Sequence, residues 1–232
     1  MQTRPNPEKR ALADTLRAAA AHLMGDPVAT EAARDLLSRL DWLEPAPTQV
    51  PHQAALLRAA AGFHRIFTLE AVDAPGLVVL GAEVDPACVG ADDAPLGSVS
   101  GTGLTFREAF EGCVGEGVEY LSQFAAATDA IESLTPEAAL AEGSPPLFAI
   151  WQRLLPYRRP PDAAVIAWTV AADLADGKPV RLPFDICFRR PAEARDIDPP
   201  WPLSTGCGAG VDHLAATLHG LCSLLDPVAC LR

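Results

Sequence analysis

Basic residues are scarce in this sequence, and long apolar runs are missing from it. Lys and Arg together number 18 against 30 Asp and Glu, which gives a formal net charge of −12. This balance argues against a phosphate-backbone partner such as DNA, because nucleic-acid binding depends on Lys and Arg. No segment reaches the roughly 18 uncharged residues of a membrane-spanning helix, and residues 1–10 are polar, unlike a secretory signal. We therefore expect neither a nucleic-acid partner nor a membrane partner.

Cysteine pairs with metal-binding or redox spacing are also missing. The six cysteines include no Cys-x-x-Cys motif, which in a chain of this length indicates reduced thiols and a cytoplasmic location. His219 and Cys222 lie three residues apart, but no second close pair completes a zinc site. No local motif positions a base for Cys–His nucleophilic catalysis, so core or near-surface side chains are the more common identity of such residues.

The composition is that of a folded chain. With 232 residues and 49% hydrophobic residues, it can bury the core of one ordinary domain or of two small ones. The first sixty residues carry equal numbers of acidic and basic side chains, so the whole acidic excess lies after residue 60. An acidic region either keeps a protein soluble, which is the more common case, or holds divalent cations through carboxylates.

Hydrophobic residues at helical spacing predict several helices. The predicted helical segments are residues 11–24, 31–43, 51–61, a linker within 136–161, and a last helix from about Val211.

Two antiparallel hairpins are also predicted. The first joins strands 64–69 and 76–84, and the second joins strands 164–174 and 179–188 through Asp176-Gly177. The segment 90–103 is predicted to be a loop. Because helices mix with hairpins instead of alternating with single strands, we predict an α+β fold with about four strands.

The clearest helix begins at Thr105 and is predicted to run to about Ala127. Glu108, three residues after Thr105, completes a capping box. Glu116, Glu119 and Gln123 are placed on the polar face, and two carboxylates three residues apart repel each other unless a cation lies between them. This face is either a solvated acidic surface, the more common case, or a Mg²⁺ site facing a nucleotide.

Three glycines in the middle of this helix favour the second interpretation. Gly112, Gly115 and Gly117 each cost about 1 kcal/mol relative to Ala in a helix interior. Such a penalty indicates that another backbone or a ligand approaches closely there. The pattern does not show whether a backbone or a ligand makes this approach.

Glycine-rich segments precede two helices. Gly101 and Gly103 stand ahead of Thr105, and residues 204–210 lead into the last helix. Backbone N–H groups at such junctions favour anions, so both segments could hold phosphates, although such segments are usually simple turns. The second does not complete Gly-x-Gly-x-x-Gly, because Val211 or His213 occupies the third glycine position.

Together these segments resemble the YcaO family. Residues 101–120, G-T-G-L-T-F-R-E-A-F-E-G-C-V-G-E-G-V-E-Y, are similar to its first signature, a Gly-Lys-Gly-Leu-Thr-like loop before a helix ending in Glu-x-x-Glu-Arg. The second signature resembles S-T-G-C-G-A-G at 204–210 with L-H-G-L at 218–221. The strands predicted over 166–183 match the pair that the family places between these signatures.

The resemblance covers residues 63–232, whereas residues 1–62 carry none of the family's motifs. Together with the helical spacing before residue 62, it divides the chain into a helical N-terminal region, residues 1–62, and the N-terminal half of a YcaO-like domain, residues 63–232. The expected fold is therefore a partial YcaO-type fold with antiparallel hairpins and helices led by glycine loops.

The resemblance implies ATP and Mg²⁺ as cofactors and a backbone amide as the group that is modified. In this family the amide oxygen is phosphorylated and then expelled after attack by a Cys, Ser or Thr side chain or by a sulfur donor. The products are azolines or thioamides. The implied partners are a precursor peptide or a ribosomal protein as substrate, an accessory protein of the TfuA-like or ubiquitin-activating-like type, and a second copy in a homodimer.

The resemblance also implies the site residues. Glu116 and Glu119 correspond to the first pair of Mg²⁺-binding carboxylates, whereas Ser204 and Thr205 correspond to a nucleotide-contacting Ser and Asn. The nucleotide-binding residues that we expect are Ser100, Gly101, Gly103, Ser204, Thr205 and Gly206.

The chain departs from the family pattern at several positions. Thr102 replaces the Lys of the first loop, Tyr120 replaces the Arg after the first Glu pair, and Thr205 replaces the Asn of the second loop. The family's second pair of Glu residues is incomplete in this chain. In an ungapped alignment, Ser223 and Asp226 occupy the two Glu positions. An alignment with a two-residue gap would leave neither the Glu residues nor the Arg.

The length adds a further expectation. The chain ends where about half of such a domain would still be expected, so we expect a truncated or split domain whose activity by itself is impaired. The alternative is a non-catalytic partner that docks a complete modifying enzyme or the precursor peptide.

Overall fold

Three helices at the N-terminal side begin the fold. A computed structural model describes residues 7–27, 30–126, 128–141, 164–197 and 204–225. The helices are α1 (Pro7–Leu23), α2 (Glu31–Arg39) and α3 (Val50–Ala60), as the apolar spacing predicts. Helix α2 ends before residue 43 because Asp41 has a φ of 57°, in the left-handed region that interrupts a helix.

A three-stranded antiparallel sheet follows. Its strands β1 (Arg65–Leu69), β2 (Val78–Val84) and β3 (Gly97–Gly103) pair in that order. The turn between β1 and β2 contains Gly76 at a φ of 102°, a conformation that favours glycine. The first predicted hairpin is therefore confirmed.

Strand β3 corrects the prediction of a loop over residues 90–103. Three of its seven residues are glycines, and glycine is depleted in strands, so the strand pattern is hidden in the sequence. The strand forms because β2 pairs with it along its whole length, from Val78 opposite Gly103 to Val84 opposite Gly97.

Helix α4 (Phe106–Ser122) begins with the predicted capping box. The Thr105 Oγ1 accepts the Glu108 N–H at 3.1 Å, and the Glu108 carboxylate accepts the Thr105 N–H at 3.1 Å. The helix ends before Ala127, and Gln123 lies in the interior with 4% of its surface exposed. Its amide oxygen accepts the Arg189 Nε–H at 2.9 Å, a partner 66 residues away that a helical wheel does not include.

The three glycines of α4 have different surroundings. A Cβ at Gly117 would collide with the buried Phe63 ring, and a Cβ at Gly112 would lie 3.6 Å from the Gly101 Cα. A Cβ at Gly115 would meet nothing within 4 Å. Packing within the protein therefore accounts for Gly117 and for the close approach at Gly112, but not for Gly115.

A second antiparallel sheet and four helical segments complete the described residues. The strands, in sheet order, are β4 (Glu132–Leu134), β5 (Ile166–Ala172) and β6 (Pro179–Pro183). The helices are α5 (Pro136–Ala141), the single turn α6 (Phe184–Cys187) and α7 (His213–Leu225), with a 3₁₀ turn at Ala192–Ala194. The described residues thus contain six strands where about four were predicted.

Residues 184–188 correct the second predicted hairpin. Its turn is confirmed, with Gly177 at a φ of 73°, but the strand stops at Pro183 and α6 follows. The buried Asp185 carboxylate lies 2.7 Å from the Arg190 Nε and accepts the N–H groups of Asp196 and Ile197. These hydrogen bonds turn the chain away from the sheet.

The main core lies between α1–α4 and the first sheet, and includes Leu37, Trp42, Leu57, Phe63 and Val114. A smaller core around Ile166 and Trp168 lies beside the second sheet. The architecture is the predicted α+β fold. None of the described helices has both the length and the apolar content that crossing a bilayer requires.

The surroundings of two α4 glycines predict opposite effects of the same substitution. Gly117→Ala should lower the free energy of unfolding by about 1–3 kcal/mol, because the new methyl group overpacks the Phe63 ring. Gly115→Ala should raise it by up to about 1 kcal/mol, because the methyl group meets open space and improves helix propensity. Urea denaturation followed by circular dichroism measures both changes, and shifts of the same sign would contradict this packing.

Candidate functional site

The glycine-rich strand β3 and helix α4 form the first of two similar units, residues 97–122. In this unit β3 packs closely against α4. A Cβ at Gly101 would collide with the Ala109 carbonyl oxygen and the Cys113 backbone nitrogen. Only glycine allows the two backbones to approach this closely.

The second unit, residues 204–225, repeats this packing. A Cβ at Gly208 would collide with the Ala216 carbonyl oxygen and the Gly220 nitrogen. In both units the contacts fall 8 and 12 residues after the glycine. The glycine segment 204–210 therefore crosses α7 as β3 crosses α4.

The two helices also begin in the same way. The Asp212 Oδ1 accepts the Ala215 N–H at 2.8 Å, as Thr105 accepts the Glu108 N–H in the first unit. Each cap lies four residues after the glycine that contacts the helix backbone. Capping and glycine packing together fix where each helix lies relative to its own loop.

A side chain from each helix holds the loop that precedes it. The Glu116 Oε2 accepts the Ser100 N–H at 2.8 Å, and the Ser223 Oγ accepts the Gly206 N–H at 2.9 Å. Glu116 and Ser223 follow their capping residues by the same 11 positions. The first unit therefore has a carboxylate where the second has a neutral hydroxyl.

A cleft of about 690 Å³ lies between the two units and α3, within the size range of small-molecule sites. Glu116 and Glu119 of α4 line it together with Ala209 and Gly210 of the second glycine loop. His219 of α7 also lines the cleft. The structure thus brings the two predicted metal ligands to the second predicted loop.

Burial and repulsion act on the Glu119 carboxyl in this cleft. Partial burial raises its pKa above the ordinary value of 4.5, and the nearby Glu116 carboxylate raises it further. A hydrogen bond from the Ala209 backbone N–H and the field of His219 act in the opposite direction. The described residues that line the cleft include no Lys or Arg that could offset the repulsion between the Glu116 and Glu119 carboxylates. A bound cation would offset it.

The six predicted nucleotide-binding residues occupy different surroundings. Gly101 and Gly103 pack against α4, and Ser100 is held by Glu116 through its backbone N–H. Ser204, Thr205 and Gly206 belong to the same predicted set, and all three are exposed at the start of the second loop. Their assignment to nucleotide contacts stays a prediction.

Two parts of the cleft are absent from the set of residues predicted for the site. One is the wall from α3, with His52, Ala55 and Ala59, in a region without family motifs. The other is His219, whose Nδ1 lies 2.5 Å from the Ala209 carbonyl oxygen and so holds the second loop on α7. Its place in the His-Gly-Leu motif was the available signal.

The cysteines near the cleft are protonated thiols at neutral pH. Burial raises the pKa of Cys187 to about 11, and burial and the Glu119 carboxylate raise the pKa of Cys207. Neither is therefore an activated thiolate nucleophile. Cys88, Cys113, Cys187 and Cys222 are free thiols.

Glu116 and Glu119 could provide two carboxylate ligands for a metal ion, but not a complete set of protein ligands. Across the described ranges, no group of three or more His, Cys, Asp or Glu side chains could hold a metal ion. Mg²⁺ usually binds through one or two carboxylates, with waters and substrate phosphates as its other ligands. Glu116 and Glu119 fit this mode, because Glu116 spends only one of its two oxygens on the Ser100 N–H.

The chain is similar to one known protein family and to solved structures. The family described as "YcaO cyclodehydratase", ATP- and Mg²⁺-binding, matches residues 100–232. The structure of YcaO from Methanopyrus kandleri bound with AMPPCP and Mg²⁺ has a TM-score of 0.51 at 20% identity, over 80% of this chain and 41% of that chain. A heterocyclase in complex with substrate and cofactor has a TM-score of 0.49 at 17% identity, over 68% of this chain and 24% of that chain. A search of curated proteins gave no match.

The family match over residues 100–232 confirms the sequence resemblance and the cofactors that it implied. ATP and Mg²⁺ are the ligands by which the matching family is described. The M. kandleri structure shares the fold with this chain, which spans about two fifths of that relative's length.

The raised pKa of Glu119 predicts a specific pH dependence of stability. A carboxyl whose pKa is higher in the folded chain contributes stability that is complete below pH 4.5 and is lost as the pH rises through the folded-state pKa. Glu119→Gln removes this loss, so its stability relative to wild type should increase as the pH rises above 4.5. Thermal denaturation across this range measures the difference. A constant difference between Glu119→Gln and wild type across this range would contradict the burial of this carboxylate.

Proposed function

The chain belongs to the YcaO family, and from that premise we propose that it binds ATP with Mg²⁺ and takes part in activating a backbone amide of a ribosomally made peptide or protein. The product would be an azoline or a thioamide. One observation carries the proposal, namely that Glu116 and Glu119 line the same cleft as Ala209 and Gly210 of the second glycine loop.

The charges in the cleft support a nucleotide that arrives with its metal. Phosphates alone would be repelled by Glu116 and Glu119, because the described lining residues include no Lys or Arg. A divalent cation between carboxylates and phosphates reverses this repulsion. The pairing of an acidic site with a polyphosphate therefore requires Mg²⁺.

Each residue of the site has a distinct role in this proposal. Glu116 and Glu119 would hold Mg²⁺, and the N–H of Ser100 fixes the orientation of Glu116. His219 and Glu119 hold the second loop from its two sides through the Ala209 carbonyl and N–H groups. When bound, Mg-ATP supplies the phosphoryl group that activates the amide oxygen.

Ser223 limits how much positive charge the site can bind next to the phosphates. In the second unit Ser223 takes the place of Glu116, and its side-chain oxygen accepts the Gly206 N–H. Among the described residues that line the cleft, the carboxylates are Glu111, Glu116 and Glu119 of α4, and the second unit adds none, so we expect weak nucleotide binding and slow turnover. A cytoplasmic location, an accessory protein and a homodimer remain part of the proposal.

A second candidate function is a non-catalytic docking partner of a complete modifying enzyme. The observation that favours it is the apolar surface of α7, where Leu214, Leu218 and Leu225 are more than half exposed. Stable copurification with a second subunit, together with no change in melting temperature on adding Mg-AMPPCP, would support this candidate over the first.

Calorimetric titration with AMPPCP tests the proposed nucleotide site. Binding should require Mg²⁺ and disappear in EDTA. Glu116→Gln and Glu119→Gln should each weaken binding about tenfold or more, which corresponds to about 1.4 kcal/mol, because each removes one charged ligand of the cation. Glu70→Gln makes the same chemical change outside the cleft and should leave the dissociation constant unchanged.

Two outcomes would contradict this site. Binding that persists in EDTA would show that Mg²⁺ does not bridge protein and phosphate. Equal affinity in wild type and both Gln variants would remove the α4 carboxylates from the site. The chemical step is tested separately by mass spectrometry of a Cys-containing precursor peptide, in which loss of water indicates an azoline and exchange of oxygen for sulfur indicates a thioamide.

A further inference from the structure

The outer edge of strand β3 has no partner strand within the described ranges. The strand order of the first sheet is β1-β2-β3, so β3 pairs on one side only. The Ser100 N–H donates to the Glu116 Oε2 and therefore points away from β2. Backbone groups of an antiparallel strand alternate between its two sides, so those of Ser98 and Thr102 point to the same outer edge. This edge offers a row of N–H and C=O groups with which another strand can pair.

Strand β3 also lacks the features that protect a sheet edge from pairing. Charged residues, prolines and bulges are the usual protection. The seven residues of β3, G-S-V-S-G-T-G, include no charged residue and no proline, and all seven pair with β2 in one continuous register. The other edge strand, β1, carries a charged residue, Arg65, which forms an ion pair with Glu83 of β2. Of the two edges of this sheet, the β3 edge is therefore the one that accepts an added strand.

The outer edge of β3 meets the cleft at Glu116. This side chain lines the cleft and accepts the Ser100 N–H at 2.8 Å. Helix α4 lies over one face of β3, because a Cβ at Gly101 would collide with the α4 backbone, and Glu116 reaches from α4 to the edge. A strand added at this edge would lie about 5 Å from β3. Its backbone would therefore pass beside the Glu116 carboxylate.

We propose that an extended substrate peptide adds to β3 as a fourth strand of the first sheet and pairs with the backbone groups of Ser98 and Thr102. The proposal rests on the proposed activation of a backbone amide and specifies how the peptide is held. Because Glu116 takes the Ser100 N–H, the peptide carbonyl opposite this group has no backbone donor. Among the peptide carbonyls that face β3, it is the one that is presented to the cleft.

Charge favours a basic peptide over a second copy of this chain at the β3 edge. Pairing of two copies through β3 would bring two Glu116 carboxylates to one seam, in a chain whose net charge is −12. A peptide with Lys side chains would instead be attracted by Glu111, Glu116 and Glu119, since the described residues that line the cleft include no Lys or Arg. Backbone pairing tolerates many sequences, whereas the carboxylates select basic ones.

Hydrogen exchange with a defined peptide tests this pairing. The probe is acetyl-Lys-Thr-Val-Thr-Cys-Thr-Val-Thr-Lys-amide, whose β-branched residues favour an extended strand and whose ends are basic. The matched control is the same peptide with N-methyl groups on its five central residues, which keeps the side chains but removes the N–H donors. NMR of the full chain without nucleotide follows the exchange of single backbone amides.

The expected effect is confined to the outer edge of β3. The N–H groups of Ser98 and Thr102 should exchange fast in the free chain and about fivefold or more slowly with millimolar probe, because they become hydrogen-bonded. The N-methylated peptide should leave their exchange unchanged. The Thr68 N–H, on the β1 edge, should exchange at the same rate with and without the probe.

Proline substitutions on the two edges provide a second measurement. Ser98→Pro and Thr102→Pro each remove an N–H that points outward and leave the hydrogen bonds to β2 in place. Thr68→Pro is the matched control, because the same alternation points the Thr68 N–H away from β2. The β3 variants should weaken probe binding about fivefold or more, and Thr68→Pro should change it less than about twofold. Melting temperatures confirm folding.

Several results would overturn the inference. Unchanged exchange at Ser98 and Thr102 with millimolar probe would do so, as would equal binding of the N-methylated peptide. Slow exchange at both residues before the probe is added would show that the edge is already covered, and sedimentation would tell whether a second copy covers it. The proposed function fails separately, because calorimetry with Mg-AMPPCP needs no peptide. Pairing of the probe without nucleotide binding would reject that function and leave the peptide site.

Discussion

The structure depends on direct contact between the backbone of a glycine segment and the backbone of the helix that follows it. At Gly101 and again at Gly208, no side chain larger than hydrogen fits between the two. This contact sets the distance from loop to helix by the size of the main chain alone, so Glu116 can reach back to the Ser100 N–H and Ser223 to the Gly206 N–H. The positions of the two helices relative to their loops in the cleft follow from these two contacts, because a bulkier residue would separate each helix from its loop.

The two units have similar backbone packing but differ in charge. The first unit brings Glu116 and Glu119 into a partly buried cleft, where desolvation and mutual repulsion disfavour their charged forms. The second unit contributes a neutral Ser223 and the backbone of Ala209 and Gly210. The site therefore has its negative charge on one side, which suits a cation shared with phosphates and makes the affinity of the whole site sensitive to a few charged groups.

The N-terminal helices are part of this arrangement. They share one continuous core with the first sheet and α4, in which Phe63 packs against Gly117. Because this packing fixes α3 beside α4, the Ala55 and Ala59 side chains become a wall of the cleft. A segment without any motif of its own thus shapes the site through its position, and Gly115 leaves space on the α4 side.

The sequence by itself determined the features that depend on neighbouring residues: the three N-terminal helices, the capping box at Thr105, the turns at Gly76 and Gly177, and the Glu116–Glu119 pair on one helix face. Tertiary structure alone decided the features whose partners lie far along the chain. Strand β3 forms because β2 pairs with it, Gln123 is buried because Arg189 reaches it, and α6 replaces a strand because Asp185 collects hydrogen bonds from Asp196 and Ile197. The same division holds in the cleft. The sequence spacing identifies three unusual glycines in α4, but only the fold shows that Gly117 contacts a ring, Gly112 a backbone and Gly115 open space. Local periodicity carries no information on what packs against a helix.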